Sequence, residues 1–590
     1  MHIAFAVRDG VRDKSPSTCS LHKPASPADI GPNPVLLSQL ICLGEAFMGS
    51  GPRWLLIVAI VLLGLGEWGW AFITGMKQAS QLSAQFAQQS APIHLDPAKR
   101  HLFTREEANT FLVAAKQAEV IKDPLQRCLA YPDPPRSHWS HEAVVAYCHY
   151  RYQPVIPFTE VQSLIQSGHA AEVDKRFAQV LQAQLTQPDL HGLLDRTYYE
   201  DFNNGSFDIR PTLDAWKRDS PHSAYAYAAS GYAYVQMAFD ARGEQYIANT
   251  SQSSIDAMEK LLTQADTDLR HAIELDPRVT PAYTAMVNAG GLSLGRAYGL
   301  DAARRGLAIA PDDYAIYDMQ MWLDQPKWGG SLMAMKHLAD QAQAHAKGNP
   351  LLILLQSRQP FYEANNCECE KDIELAAYPA ALDQVALSTD LAKAGNAASG
   401  SMHLEMSVIY LSEALRFNQG LDEERVRRAF ALVDFDEAEW ALTEASQLIA
   451  TSPRNADALK VRAHAYESLN DYTHAEQDYR AALALDPSDL WSLSQLGDMF
   501  VYWTHDWDKG WDIADQFIKA HPEDPYGWTL RAAIQERQPR AGLKDTVEYF
   551  AAHFGSDPAM ANRLARMRAA LTMQTHAGNQ VVAGKGQPHS

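Results

Sequence analysis

The sequence predicts an all-α fold: a solenoid, or superhelix of helical hairpins, with one N-terminal transmembrane helix ahead of it. Three observations predict this. Prolines that close helical stretches recur at steps of 34 or 35 residues, β-strand signals are nearly absent, and the most apolar run, Trp54–Gly66, stands apart between polar flanks.

Residues 1–47 mix Ser, Pro, Asp and scattered basic residues without an apolar period, and they read as disordered. Met48 is followed by Gly-Ser-Gly-Pro, Arg53 and thirteen uncharged residues, the opening of an export signal or signal anchor. Met48 therefore reads as the start, and the prefix as an over-long gene reading. Continued to Ile73 across Glu67, the run holds 20 residues, about 30 Å of helix and enough to span a bilayer. Trp68 and Trp70 would sit at the far interface. No small-x-small cleavage site follows cleanly, which favours a retained anchor. Arg53 and Lys77 nearly balance across the run, so its orientation rests on the cysteines instead.

From Met48 onward the cysteines are Cys128, Cys148, Cys367 and Cys369, an even number that fits an oxidising compartment. A Cys128–Cys148 bridge would close a Pro-rich loop of about twenty residues, worth roughly 3 kcal/mol in the chain-entropy model. Buried free thiols are the alternative. Cys367 and Cys369, in NNCECEKD, are too close for an ordinary bridge and read as an exposed loop, with a metal or redox pair as the sharper option.

The chain has 590 residues with 51 Lys+Arg against 71 Asp+Glu, a formal charge of −20, and is 46% hydrophobic, enough for several cores. Acidity spread without a basic stripe argues against nucleic acid as a partner, because cationic side chains must replace the counterions of a phosphate backbone. After a Gln/Ala/Ser-rich linker (76–100) the pattern turns helical, beginning with a capping box in which Glu107 follows Thr104 by three residues.

The stretch NADALKVRAHAYESLNDYTHAEQDYRAALALDPS, Asn455–Ser488, places Leu459, Ala463, Tyr466, Ala475, Tyr479, Ala482 and Pro487 at the spacing of a tetratricopeptide repeat, which it resembles. Ala463 and Ala475 are small where two helices cross, the tyrosines fill the space between helices, and Pro487 stops the second helix. Pro453, Pro487 and Pro522 are spaced by 34 and 35 residues, and upstream Pro277 and Pro311 are again 34 apart. Pro221, with Tyr227, Gly231 and Tyr234 in first-helix spacing, precedes Pro277 by 56 residues, which implies an insertion of about 22 residues around ARGEQYIANTSQSS. Pro311 to Pro350 spans 39, the excess falling at DQPKWGGS.

The segment from about Phe177 to Ala342 resembles a bacterial domain-of-unknown-function family, the one numbered 4034. The resemblance rests on Trp216, on PHSAYAYAASGYAY at Pro221, on Ala241-Arg242-Gly243 and on PKWGGS from Pro326 to Ser331, including Trp328, Gly329 and Gly330. It covers under a third of the chain. It implies a tetratricopeptide-like architecture and no assigned reaction.

Gly291-Leu292-Ser293-Leu294-Gly295 is a literal GxSxG, but a nucleophile elbow needs a strand before the Ser, and here the string falls between two helices of one repeat. His138, His141, Cys148 and His149 are zinc-ligand types at a spacing that matches no standard site. No cofactor motif and no catalytic constellation is visible, so the protein is not read as an enzyme.

The expected organisation is 1–47 disordered, 48–75 membrane anchor, 76–100 linker, 101–350 family-like helical repeats, 351–400 connector, 401–558 tetratricopeptide repeats, and 559–590 a C-terminal helix and tail. The function that follows is a membrane-anchored binding or scaffold protein of the bacterial envelope, in the inner membrane through residues 54–73 with its soluble part in the periplasm. Its concave groove would hold a protein or peptide on Lys460, His464, Glu467, Trp491 and Asp498, with Asp457 and Ser494 on the same faces. The alternative is a small-ligand sensor or enzyme with a pocket near Arg242 and the Trp328-Gly-Gly-Ser turn.

Overall fold

The chain divides into two units, 1–90 and 91–590. The computed structural model describes residues 102–245, 249–538 and 540–584, with side chains through 574.

Helix α1 (Arg105–Glu119) opens at the expected capping box: Thr104 accepts from the Glu107 amide, and Glu107 reaches back to the Thr104 amide at 2.8 Å. Next come α2 (Pro124–Ala130), α3 (His141–Tyr152), α4 (Phe158–Gln166), α5 (Ala170–Thr186), α6 (Leu193–Asp201) and α7 (Arg210–Asp219). Hairpins then follow in sequence: α8 (Ala224–Arg242) with α9 (Gln252–Leu275), and α10 (Thr280–Ala289) with α11 (Arg296–Ile309). Helices α12 (Tyr314–Leu323) and α13 (Leu332–Gln343) flank the PKWGGS turn, and a 3₁₀ stretch, Pro350–Ser357, leads into α14 (Arg358–Asn365) and α15 (Lys371–Ala381).

The array continues with α16 (Ser388–Gly400), α17 (Leu404–Phe417), α18 (Asp422–Asp434), α19 (Ala438–Thr451), α20 (Ala456–Ser468) and α21 (Tyr472–Leu485). It closes with α22 (Leu490–Asp498), α23 (Trp507–Ala520), α24 (Pro525–Arg537), α25 (Leu543–Phe554) and α26 (Ala561–Gly584). Along much of its length a helix packs on the next one and also on the next but one, as α8 does on α9 and α10, and α18 on α19 and α20. That pattern is the stacking of a solenoid, in which each hairpin covers the apolar face its neighbour cannot bury alone.

The proline rhythm has a local cause. Pro221, Pro311, Pro453, Pro487 and Pro522 each stand two residues before a capping residue, namely Ser223, Asp313, Asn455, Asp489 and Asp524. Each cap accepts from an amide of the next helix's first turn, as Asn455 Oδ1 does from Ala458 N at 2.9 Å. A proline therefore stops one helix, and a polar side chain satisfies the free N–H groups that open the following one. The inferred insertion lengthens a hairpin: α8 has 19 residues and α9 has 24, against 13 and 14 in α20 and α21. Gly231 lets α8 and α9 cross closely, since a Cβ there would lie 2.5 Å from Leu269.

Sequence patterning gives no hint that the array folds back on its own beginning. α1, α2 and α3 pack on α17, and α3 packs on Pro350–Ser357. One apolar core thereby unites Phe111, Leu112 and Tyr147 with Leu352, Tyr378, Tyr410, Phe417 and Leu432. Two buried arginines fasten the contact. Arg416 donates from Nε to the Cys128 carbonyl at 2.8 Å and from Nη1 to Asp133 at 2.8 Å. Arg428 donates from Nη1 to Glu119 at 2.9 Å and to the Tyr131 hydroxyl at 3.1 Å, while its Nη2 pairs with Glu444. Burial alone would raise the Glu119 carboxyl, yet Arg428 and Arg127 together hold it below its ordinary value.

The transmembrane helix is corrected here. Among the described residues no helix is long and apolar enough to cross a membrane, and residues 48–75, where the span over 54–73 was expected, lie outside the described residues. The two longest helices show why none qualifies: α9 carries Asp256, Glu259, Lys260, Asp266, Asp268 and Arg270, and α26 carries Arg563, Arg566 and Arg568. Such charges are costly in hydrocarbon. The described residues form an all-α, tetratricopeptide-like solenoid, and no helix among them is a transmembrane helix. The membrane as a partner, the membrane-anchored function and the inner-membrane, periplasm-facing placement are withdrawn with it.

Arg428→Ala leaves buried Glu444 without its paired cation and Glu119 with Arg127 alone, and removing one partner of a buried pair costs about 3–5 kcal/mol. Urea unfolding should register a loss of that size, with amide exchange rising across α1 and α2. Unchanged exchange there would mean that apolar contact alone holds the fold-back.

Candidate functional site

The candidate groove residues lie on two successive first helices, α20 and α22, with Tyr526 of the next first helix, α24, beside them. On α20, Lys460, His464 and Glu467 follow one another at helical spacing and share a face. Lys460 Nζ pairs with Asp457 at 2.6 Å and lies 3.6 Å from Asp489, ahead of α22. The His464 ring stands edge-on to Trp491 of α22, 5.8 Å between centroids, and 6.3 Å from Phe430 of α18. Trp491 meets Phe430 perpendicularly at 5.3 Å and Tyr479 at 5.8 Å. His464 and Trp491 thus form one aromatic step between neighbouring repeats.

Beyond it lies an acidic step. Glu467 accepts from the Tyr479 hydroxyl at 2.9 Å, and Asp498 accepts from the Tyr526 hydroxyl of α24 at 2.8 Å. Burial raises the Glu467 carboxyl, and the charge of Asp498 raises it further. Burial raises Asp498 as well, and burial lowers the imidazole of His464, whose Nδ1 is enclosed without a partner. The row therefore offers half-buried carboxylates beside aromatic edges, a surface suited to a segment carrying a cation and an apolar side chain. Ser494 contributes its carbonyl, which also accepts from Tyr526 at 2.7 Å, while Asp457 points largely to solvent.

The family-like motif residues divide into core and turn. Trp216 is fully buried, 5.3 Å from Phe177, and its indole N–H donates to Asp174 at 2.8 Å. Pro221 precedes the Ser223 cap of α8. Arg242 ends α8 and donates to the carbonyl of Gly243, which has φ +73°. Trp328 packs on Trp322 at 4.6 Å, and Phe239, near the end of α8, approaches the other side of Trp322 at 6.3 Å. Phe239, rather than Arg242, joins the insertion to the PKWGGS turn. Gly329 has φ +79°, and a Cβ on Gly330 would lie 2.0 Å from the Asp324 carbonyl, so both glycines are required by the backbone there.

Cys128 and Cys148 are joined by a disulfide, with Cα atoms 5.8 Å apart, and both are fully buried. Cys367 and Cys369 are joined as well, against the expectation that they stand too close for an ordinary bridge. Glu368 between them takes φ +49°. His138 faces Asp383 at 2.8 Å, and among the described residues no three His, Cys, Asp or Glu side chains gather as metal ligands. The GxSxG string is the turn between α10 and α11, as its setting in the repeat implied.

Sequence reasoning missed a buried polar knot where α5, α6, α10 and α12 meet. Thr280 and Gln184 donate to Asp195 at 2.7 and 3.1 Å, and burial pushes the Asp195 carboxyl up to about 6. Asp313, which caps α12, is raised by burial and by the charge of Asp195. It missed Arg416 and Arg428 too. The available signal was an arginine set in an apolar run, as in LSEALRF.

A tetratricopeptide repeat family model matches residues 456–489, which span α20 and α21. Among solved structures, the chain is similar to the P58(IPK) TPR domain at 13% identity, covering 54% of this chain and 96% of that one, with a TM-score of 0.20. It is similar to yeast Tom70 at 13% identity, covering 82% and 99%, with a TM-score of 0.31. Likenesses that low carry no argument about activity. No curated protein matches. The class is that of a tetratricopeptide-like α-solenoid.

The acidic step yields a pH prediction. Glu467 and Asp498 are raised above ordinary values of 4.5 and 3.8, so the folded groove keeps protons that the unfolded chain has already released. Their contribution is complete below those ordinary values and is lost as pH rises through the folded ones. His464, lowered from 6.5, works in the opposite sense, losing its contribution as pH falls. Glu467→Gln with Asp498→Asn should therefore be at least as stable as the parent at pH 7 and lose less stability between pH 4.5 and 7, as measured by thermal unfolding. An identical slope in both proteins would contradict the assignment.

Proposed function

We propose that this protein is a binding scaffold that holds a protein or peptide segment along the face formed by α20, α22 and α24. The observation that carries this is the row of Lys460, His464, Glu467, Trp491 and Asp498, in which Lys460 and His464 reach Asp489 and Trp491 of the next repeat and Asp498 accepts from Tyr526 of the one after. A solenoid exposes such a row along one surface, and side chains that vary from repeat to repeat set its specificity. Trp491 is the anchor: it is half-buried, wedged between Phe430 and Tyr479, and supplies a rigid apolar plane beside two carboxylates. Lys460 guides the acidic end of the occupant, while Glu467 and Asp498 receive its cationic side chain.

At a finer level we propose that residues 177–342 form a domain of the family numbered 4034. The paired glycines and Trp328 in PKWGGS, together with the lengthened α8–α9 hairpin, support that reading. In it, Trp216, Pro221, Arg242 and Gly243 are architectural, and the groove downstream supplies the recognition.

A photo-crosslinking residue placed at Glu467 should capture a partner that one placed at Arg480, on the second helix α21, does not. Trp491→Ala should weaken that complex by roughly 2 kcal/mol or more, about thirtyfold in Kd, as a central aromatic anchor does. Equal capture from both positions, or an unchanged Kd for the Trp491→Ala protein, would move the binding surface elsewhere.

A further inference from the structure

We propose that Cys367 and Cys369 form a thiol-exchange site, a disulfide that accepts electrons from a neutral or cationic dithiol while Cys128–Cys148 stays closed. Three observations bear on the outer bridge. The first is access. Cys128 and Cys148 are both fully buried, whereas Cys367 is 5% exposed and Cys369, in the short connection between α14 and α15, is only partly covered. Exchange requires a thiolate to reach one sulfur in line, so the outer sulfur of this pair is the one that can be attacked.

The second is loop size. The bridges span sequence separations of 2 and 20, and the unfolded-chain entropy removed by a crosslink grows with the logarithm of loop length. The shorter loop gains least from staying closed. The third is the backbone. Glu368 holds φ +49°, a conformation that a residue with a Cβ seldom adopts, and opening the bridge frees it to leave. No comparable residue lies within α2 or α3, which the inner bridge connects, although Arg136 in the loop between them has φ +64°.

The surroundings select the reductant. Glu368 and Glu370 flank the outer cysteine and are exposed, and Asp372 follows with 88% of its side chain exposed, 3.6 Å from His403. Lys371 is drawn to Glu374 at 2.9 Å. An anionic thiol approaching Cys369 meets like charge within a Debye length, and a neutral or cationic one does not. The chemistry balances as ordinary exchange. One thiolate of the dithiol attacks Cys369 Sγ, the Cys367–Cys369 bond breaks, and Cys367 departs as a thiolate that takes up a proton. The second thiol of the reductant, as thiolate, then attacks the reductant's own sulfur in the mixed disulfide and releases Cys369. The dithiol is oxidised to a disulfide, and the protein gains two electrons and two protons.

The test uses the full chain. The protein is treated with dithiothreitol or glutathione at matched thiolate concentration, quenched with N-ethylmaleimide at intervals, and mapped by peptide mass spectrometry. The expected result is labelling of Cys367 and Cys369 on the order of tenfold faster than Cys128 and Cys148, with dithiothreitol outpacing glutathione and the difference shrinking in high salt. Three results would overturn it: labelling at Cys367 and Cys369 before any reductant is added, release of Cys128 and Cys148 as early or earlier, or glutathione acting as fast as dithiothreitol. A Cys367→Ser protein, in which Cys369 must label at once, verifies that the trap reaches the site.

Discussion

Two guanidinium groups without access to water decide what kind of solenoid this is. An array of helical hairpins is ordinarily held by neighbours alone, and nothing in its physics requires one end to meet any other part. Here Arg416 and Arg428, on α17 and α18, turn their donors toward Cys128, Asp133, Glu119 and Tyr131, all of which lie near the start of the described chain. Burying such a cation is costly unless every donor direction is matched, and planar guanidinium suits that demand because its donors are fixed relative to one another. The stacking of Arg428 near Trp440 and of Arg416 on Phe417 completes the enclosure on faces that offer no acceptor.

The remainder of the described chain follows from a simpler rule, and this is the part legible in the sequence. A proline followed two residues later by Ser, Asp or Asn both ends and begins a helix, so helix boundaries around Pro311, Pro453 and Pro487 could be read directly. Ala463, Ala475 and Ala482 are buried where the spacing required small residues, and Tyr479 is fully buried between them. Which residues of α20 share a face was equally readable, because a helix of known register displays residues three and four apart on one side. What spacing could not convey was which neighbours those residues meet. The contacts of His464 with Trp491 and of Asp498 with Tyr526 depend on how far one repeat is rotated against the next.

Other features were illegible for a physical reason. Periodicity reports the local partner of a helix face and is silent about a partner some 240 to 330 residues away, such as Asp383 for His138 or Asp434 for Arg105. The same holds for Asp195 and Asp313, which look in sequence like ordinary surface acids and share one buried knot. Hydropathy misled in a different way. It identified the most apolar run, which lies outside the described residues, and inferred a membrane helix, whereas the described helices bury their apolar residues against one another and none of them is long and apolar enough to cross a membrane.

The fold-back also sets an order in time. The Cys128 carbonyl and the Arg416 guanidinium that binds it are separated by 288 residues. At a synthesis rate of 5–20 residues per second, α2 and α3 emerge roughly 15 to 60 seconds before α17 is available to cover them. Until Pro350–Ser357 and then α17 are made, the apolar faces of α1, α2 and α3 lack these partners. Among the described residues, the bridge between Cys128 and Cys148 is a crosslink that can form without waiting. Its value is then as much to hold two short helices together in the unfinished chain as to stabilise the finished one, and a protein lacking it would be most vulnerable to aggregation during its own synthesis.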